Sequence, residues 1–292
     1  MGEKEIAQQR PHDIDEALEA MRTTLEYYHA HHDNRAIFLR LYYIMTIEVH
    51  AAINGYGDYA GKQIFIDPGW VRRLSGRFST KYFESLDPDT RSRAWSYADG
   101  VAKQPHSAVV ENAVLGINAH ISFDLPRAIG ENLDPAELDD YRKLQLRKFD
   151  HDQVNNLLIR VLNQIQTTLA EDYEPGIAIA DALMGNLDEL ASGEALKIYR
   201  ERVWWNALTF AAAKVDGQDG LVRDKLDWES AHLAKDLIKA KWLWSEERAL
   251  DLVASPFRRT KNWADITLER PQRPEQAGGP PDTAESPVST RS

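Results

Sequence analysis

Apolar residues recur every three or four positions along almost the whole chain, and strict apolar/polar alternation is nearly absent. That pattern admits amphipathic helices and leaves little from which to build a sheet. The cleanest stripe is Val154, Leu157, Leu158, Val161, Leu162, Ile165 and Leu169, and Ile14, Leu18, Met21 and Leu25 set another. Residues 34–53 are apolar on nearly every face, which predicts a central helix. Asp67-Pro68 has the form of an N-cap followed by proline at the first helical position. Further helices are expected around Phe78, Tyr82 and Phe83, over 89–102, over 107–123 up to Leu125-Pro126, and over 135–170, 176–213 and 221–254.

The expected fold is therefore all-α: a single multi-helix, bundle-like domain over residues 13–268, after a flexible N-terminus (1–12) and before a disordered tail (269–292). Within that tail, 271–292 is rich in Pro, Gly, Ser and Thr and lacks apolar spacing.

At 292 residues, with 43% hydrophobic and 28% charged side chains, the chain can bury a sizeable core and has the mixture of a soluble globular protein. Lys plus Arg (35) against Asp plus Glu (46) gives a net charge of −11. That balance argues against nucleic acid and anionic membrane as partners, because phosphate surfaces call for a basic face. The absence of cysteine removes disulfides, zinc–thiolate and iron–sulfur sites and thiol nucleophiles. Any metal would be held by His, carboxylate and amide groups. No apolar signal core opens the sequence. Its most apolar stretch, 37–49, is broken by Arg40 and Glu48 and is short for a bilayer, so a cytoplasmic protein acting on a small molecule is expected. No Walker A loop, dinucleotide fingerprint, nucleophile elbow or zincin motif occurs, so no nucleotide cofactor is indicated.

Asn112, Gly116, His120 and Asp124 stand four apart and share one helical face. A His–Asp pair at this spacing can chelate a divalent metal, orient an imidazole as a general base, or satisfy two buried polar groups without further role. A second constellation, Asp150 with His151 and Asn155, continues the apolar stripe at Val154 and Leu158. It is open to capping or to function, and to joining His120 and Asp124 as a third metal ligand. Glu48 lies in line with Leu41, Met45 and Ala52 on the central helix, as an acid/base group or as the partner of Arg77 or Arg202. Trp70, Trp95, Trp204, Trp205, Tyr42, Tyr43 and Tyr82 can line an apolar pocket between helices or pack a core. His29, His31 and His32 are expected to be solvated in a polar loop. The H-x-x-x-D of His232 and Asp236 is expected to be a surface pair.

The run Asn118-Ala119-His120-Ile121-Ser122-Phe123-Asp124-Leu125-Pro126 resembles the hallmark N-A-H-I-x-x-D-L-P of an uncharacterised bacterial helical family, a domain of unknown function. Phe65-Ile66-Asp67-Pro68, Arg77-Phe78 with Tyr82-Phe83, Asp150 with Val154-Asn155, and Arg202 ahead of Trp204 extend the resemblance over about residues 35–255. It implies importance for Asn118, His120, Asp124, Asp150 and Asn155 and carries no established reaction. A local likeness to zinc-dependent phospholipase C and related single-strand nucleases rests on His120, Asp124 and Pro126. It departs from them in lacking an N-terminal Trp ligand and a dense histidine set.

Three functions follow as expectations. The first is a metal-dependent ester or phosphoester hydrolase with His120, Asp124 and Asp150 on one divalent ion. The second is a metal-free cyclase, lyase or isomerase using His120, Asp124, Glu48 or Asp150 for proton transfer. In either case Asn112, Asn118, Asn155, Tyr43, Arg77 and Trp204 would contact substrate. The third is a non-catalytic helical binding protein whose polar core groups are structural. Metal content separates the first from the other two, and burial separates the third: sealed, mutually bonded His120, Asp124 and Asp150 leave no site, whereas an open cavity reaching them favours either enzyme.

Overall fold

The computed structural model describes residues 2–105, 107–173, 193–254, 263 and 266–272. The side chains of 155, 162, 163, 166, 170, 193–199 and 240–254 are outside that description. Among the described residues there is no strand, and the helices are α1 (Glu3–Ala7), α2 (Ile14–Ala30), α3 (Arg35–Asn54), α4 (Pro68–Ser85), α5 (Arg93–Ala102), α6 (Val109–Ala119), α7 (Leu125–Asn132), α8 (Tyr141–Asp172), α9 (Gly193–Val215) and α10 (Asp219–Ala254). The all-α expectation holds.

Local signals start the helices where the sequence places them. Asp13 accepts the Asp15 and Glu16 N–H groups at the head of α2, and Asp67 accepts that of Trp70 ahead of Pro68 in α4. Asp140 does the same for α8, and Ser92 for α5. The helices expected around Trp70 and around Phe78–Phe83 are one, because nothing between them breaks α4.

Helix α3 is central and packs on α2, α4, α6 and α8. Its stretch Arg35–Tyr59 is long and apolar enough to cross a membrane, yet 72% of the apolar window is buried against the other helices. Arg40 within it is buried and bonded to Asp172 at 2.8 Å.

Segments flanking the helical body also touch it. Ile6 is buried, and Thr80 Oγ1 donates to the Pro11 carbonyl. The backbone at His12 crosses α4 so closely that a Cβ on Gly76 would lie 2.3 Å from it. Residues 266–272 adopt neither helix nor strand, and Ile266 and Leu268 pack against the core. Glu269 pairs with Arg40 at 2.5 Å, and its carbonyl accepts the Tyr43 hydroxyl at 2.7 Å. The start of the tail expected at 269 is thus docked, because a buried guanidinium needs that carboxylate. The remainder, 273–292, lies outside the described residues, as do 174–192.

Candidate functional site

The run containing His120 is where the helical backbone departs from α geometry. Residues 107–123 were expected to form one helix ending near Leu125-Pro126. Instead the rod continues through a π-helical turn, His120–Asp124, into α7. The Leu125 N–H donates to the His120 carbonyl, five residues back. Pro126 explains the widening. It has no N–H to give, and its ring would press on the carbonyl four residues earlier, so the extra residue in the turn lets the chain pass the proline.

The widened turn brings His120 Nδ1 within 3.0 Å of Asp124 Oδ2, to which the Trp95 indole N–H from α5 also donates at 2.8 Å. Arg127 Nη1 lies 3.5 Å from the other carboxylate oxygen. Aromatic rings close around the imidazole: Phe78 stacks on it at 3.6 Å and 10°, Tyr42 meets it edge-on at 4.4 Å, and Phe38, Trp95 and Tyr82 stand at 5.5–6.3 Å. Gly116 is required here, because a Cβ would fall 2.4 Å from the Phe38 ring. His120 is 2% exposed and Asp124 0%. Burial pushes the His120 pKa below the ordinary imidazole value, against the raising effect of the Asp124 hydrogen bond and charge. Burial favours the neutral ring, in which an Nδ1–H donor to the carboxylate leaves buried Nε2 without a hydrogen-bond partner.

A small cavity of about 30 Å³, room for about two waters, lies among the rings. Phe38, Tyr82, Trp95, Asn112 and Gly116 line it and His120 does not. Asn112 and Gly116 therefore share a cavity wall as their spacing predicts, while His120 lies behind the rings. Asn112 donates to Ser107 Oγ and the Ala108 carbonyl, both at 2.8 Å.

The other expected site residues lie elsewhere. Asp150 accepts the Ile66 and Asp67 backbone N–H groups at 2.6 and 2.9 Å. Its carboxylate therefore pins the loop before α4. Burial raises its pKa, opposed by those two bonds. Among the described residues no three His, Asp or Glu side chains come close enough to share a metal, so His120, Asp124 and Asp150 do not form the expected centre. His120 Nδ1 is engaged by Asp124, and the Asp150 oxygens by the Ile66 and Asp67 backbone N–H groups.

Glu48 is half-buried rather than buried, and it takes a short hydrogen bond from the Tyr59 hydroxyl in place of Arg77 or Arg202. Arg77 is exposed and bonds to Asn132 at 3.2 Å, while Arg202 pairs with Glu229 at 2.9 Å. Asn118 donates to the Ser230 carbonyl at 2.9 Å, clamping α6 to α10. Tyr43 holds the 266–272 segment. Trp204 packs 5.7 Å from His151, whose Nδ1 is 3.3 Å from Arg200. The Asn155 side chain lies outside the described residues. The expected aromatic pocket is thus divided: Tyr42, Tyr82 and Trp95 surround His120, Trp70 sits under Arg147, and Trp205 is exposed.

Two further expectations are corrected. His29 is buried, 2.9 Å from the Tyr173 hydroxyl, with its pKa lowered to about 4 by burial and by Arg40. His232 and Asp236 do not pair: His232 Nδ1 bonds the Trp228 carbonyl at 2.8 Å, and Asp236 takes Lys239 at 3.2 Å. Sequence reasoning missed Arg127 and the bond from Trp95 to Asp124. The spacing of Arg127 three residues after Asp124 was the available signal for the first.

No curated protein and no solved structure matches the chain. The likeness to zinc-dependent phospholipase C is not supported. A family model described only as a family of unknown function matches residues 14–240, more than half of the sequence, in keeping with the resemblance carried by the N-A-H-I-x-x-D-L-P run. The chain belongs to this family, DUF5995.

Proposed function

We propose that the chain is a non-catalytic helical binding protein in which His120, Asp124, Trp95 and Arg127 form a structural polar network. The observation that carries this reading is the sealing of His120 and Asp124 together behind five aromatic rings, with the small cavity beside them lined by those rings and not by the dyad. The network joins α5, the π turn and α7, so its energetic weight lies in fixing how these elements meet.

Asp124→Ala tests it. The substitution strands the His120 and Trp95 donors in an apolar shell, an expected loss of about 3–5 kcal/mol with a cooperative transition in urea. Asp236→Ala, which removes only an exposed pair, serves as the control and stays within about 0.5 kcal/mol of the parent. An Asp124→Ala protein as stable as the parent, or more so, overturns the reading, because residues kept for chemistry commonly cost stability.

A second reading has one observation in its favour. Nε2 of a neutral imidazole oriented by a carboxylate is left without a partner, the arrangement of a general base awaiting a proton. It requires the Phe78–Tyr42 side of the shell to open, and the same unfolding experiment separates it from the first.

A further inference from the structure

On the outer side of α5, away from the buried network, α5 and α10 leave an open groove of about 430 Å³, a volume typical of small-molecule sites. One stripe of α5 (Arg93, Ser96, Tyr97) and one stripe of α10 (Trp228, Ala231, His232, Lys235) line it. Trp228 is 53% exposed, which is unusual for the largest apolar side chain. Its indole is packed by the His232 ring at 3.8 Å, and the Nδ1 bond to the Trp228 carbonyl fixes that ring. The stacking surface is therefore held in place before any ligand arrives.

The charge of the groove opposes that of the chain. The protein carries 46 acidic residues and a net charge of −11, yet no carboxylate is among the residues lining this groove. Lys235 lies 6.0 Å over the Tyr97 ring and is paired with no described carboxylate. Arg93 has only a 3.7 Å contact from Nε to Asp227. Asp227 is itself occupied, with Oδ1 accepting the backbone N–H groups of Arg93 and Ala94 at 2.8 and 3.2 Å. Two cations and two aromatic side chains lining one groove match a flat ligand with an anionic group at its edge. Arg93 brings a planar fork suited to a carboxylate, and Trp228 and Tyr97 bring stacking surface. An extended polyanion is disfavoured by the overall charge.

We propose that the α5–α10 groove is a binding site for a small aromatic carboxylate of one or two rings. The proposal rests on reading the chain as a binding protein and names its ligand class. The test is calorimetric titration of the full-length chain with 2-naphthoate. Its neutral amide, 2-naphthamide, and the non-aromatic anion cyclohexanecarboxylate are run beside it. One-site binding of 2-naphthoate is expected, with each comparison compound at least about tenfold weaker. Trp228→Ala and Lys235→Ala, both at exposed positions and checked for unchanged melting, should each weaken it about fivefold or more. No saturable binding up to about 1 mM, equal binding of the amide or of the alicyclic acid, or unchanged affinity in both variants overturns the proposal. These readouts do not depend on the Asp124→Ala unfolding result, so the ligand class and the structural role of the buried network fail separately.

Discussion

His120 and His232 each stand four residues ahead of an aspartate on a helix, and the two regions they occupy could hardly differ more. In the interior, the π turn brings His120 and Asp124 to 3.0 Å, with Trp95 on the same oxygen and aromatic rings on all sides. On the outside of α10, an ordinary helical turn leaves His232 with the Trp228 carbonyl and Asp236 with Lys239. Spacing makes a pair available, and desolvation decides whether it forms. Inside the core no water competes for the imidazole N–H, so Asp124 is the partner to be had. On the surface, water and a neighbouring lysine compete, and such pairs contribute little.

Acid should widen the contrast most. His29, His120 and His151 are all buried with pKa values pushed below that of a free imidazole, first by burial. From about pH 6.5 downward the unfolded chain takes up protons at these positions that the folded chain refuses, so stability falls as pH falls. For His29 the window runs from 6.5 to about 4, a loss of ~3 kcal/mol at its lower end. Urea unfolding at pH 7 and at pH 4.5 checks this. Over that interval the His29→Gln variant should show a fall shallower by about 2 kcal/mol, and an identical fall in both proteins would contradict it.

A pair of glycines probes the two regions at smaller cost. Gly116→Ala places a methyl 2.4 Å from the Phe38 ring that borders His120, and about 1–3 kcal/mol of stability should be lost to overpacking. Gly100→Ala, with nothing within 4 Å on the exposed side of α5, should gain about 0.5–1 kcal/mol through helix propensity alone. Thermal melts of the two variants should move in opposite directions. A shared direction would mean that the shell around His120 is looser than the contacts indicate.

Periodicity and capping residues carried most of the fold. Asp13, Asp67 and Asp140 act on backbone within three residues of themselves, and such local chemistry is visible in a sequence. The His120–Asp124 bond was legible for the same reason. What lay hidden depends on partners far along the chain. Asp150 has the composition of a ligand, but its oxygens meet the Ile66 and Asp67 amides, 84 and 83 residues away. Glu269 stands where the tail is expected to begin, and the partners that fix it, Arg40 and Tyr43, lie 229 and 226 residues earlier. The groove escaped notice because its character comes from two stripes on separate helices, and neither stripe by itself signals that they meet.

The central claim is that His120 is sealed within a structural network while His232 is open to solvent. Labelling of the native protein with diethyl pyrocarbonate, which acylates accessible unprotonated imidazole nitrogens, tests both halves when the modified peptides are mapped. His232, with Nε2 unengaged, should be modified, and His120 should remain unmodified until the protein is unfolded. Modification of His120 in the folded protein at a rate near that of His232 would show that the aromatic shell opens, and the structural account of the dyad would be wrong.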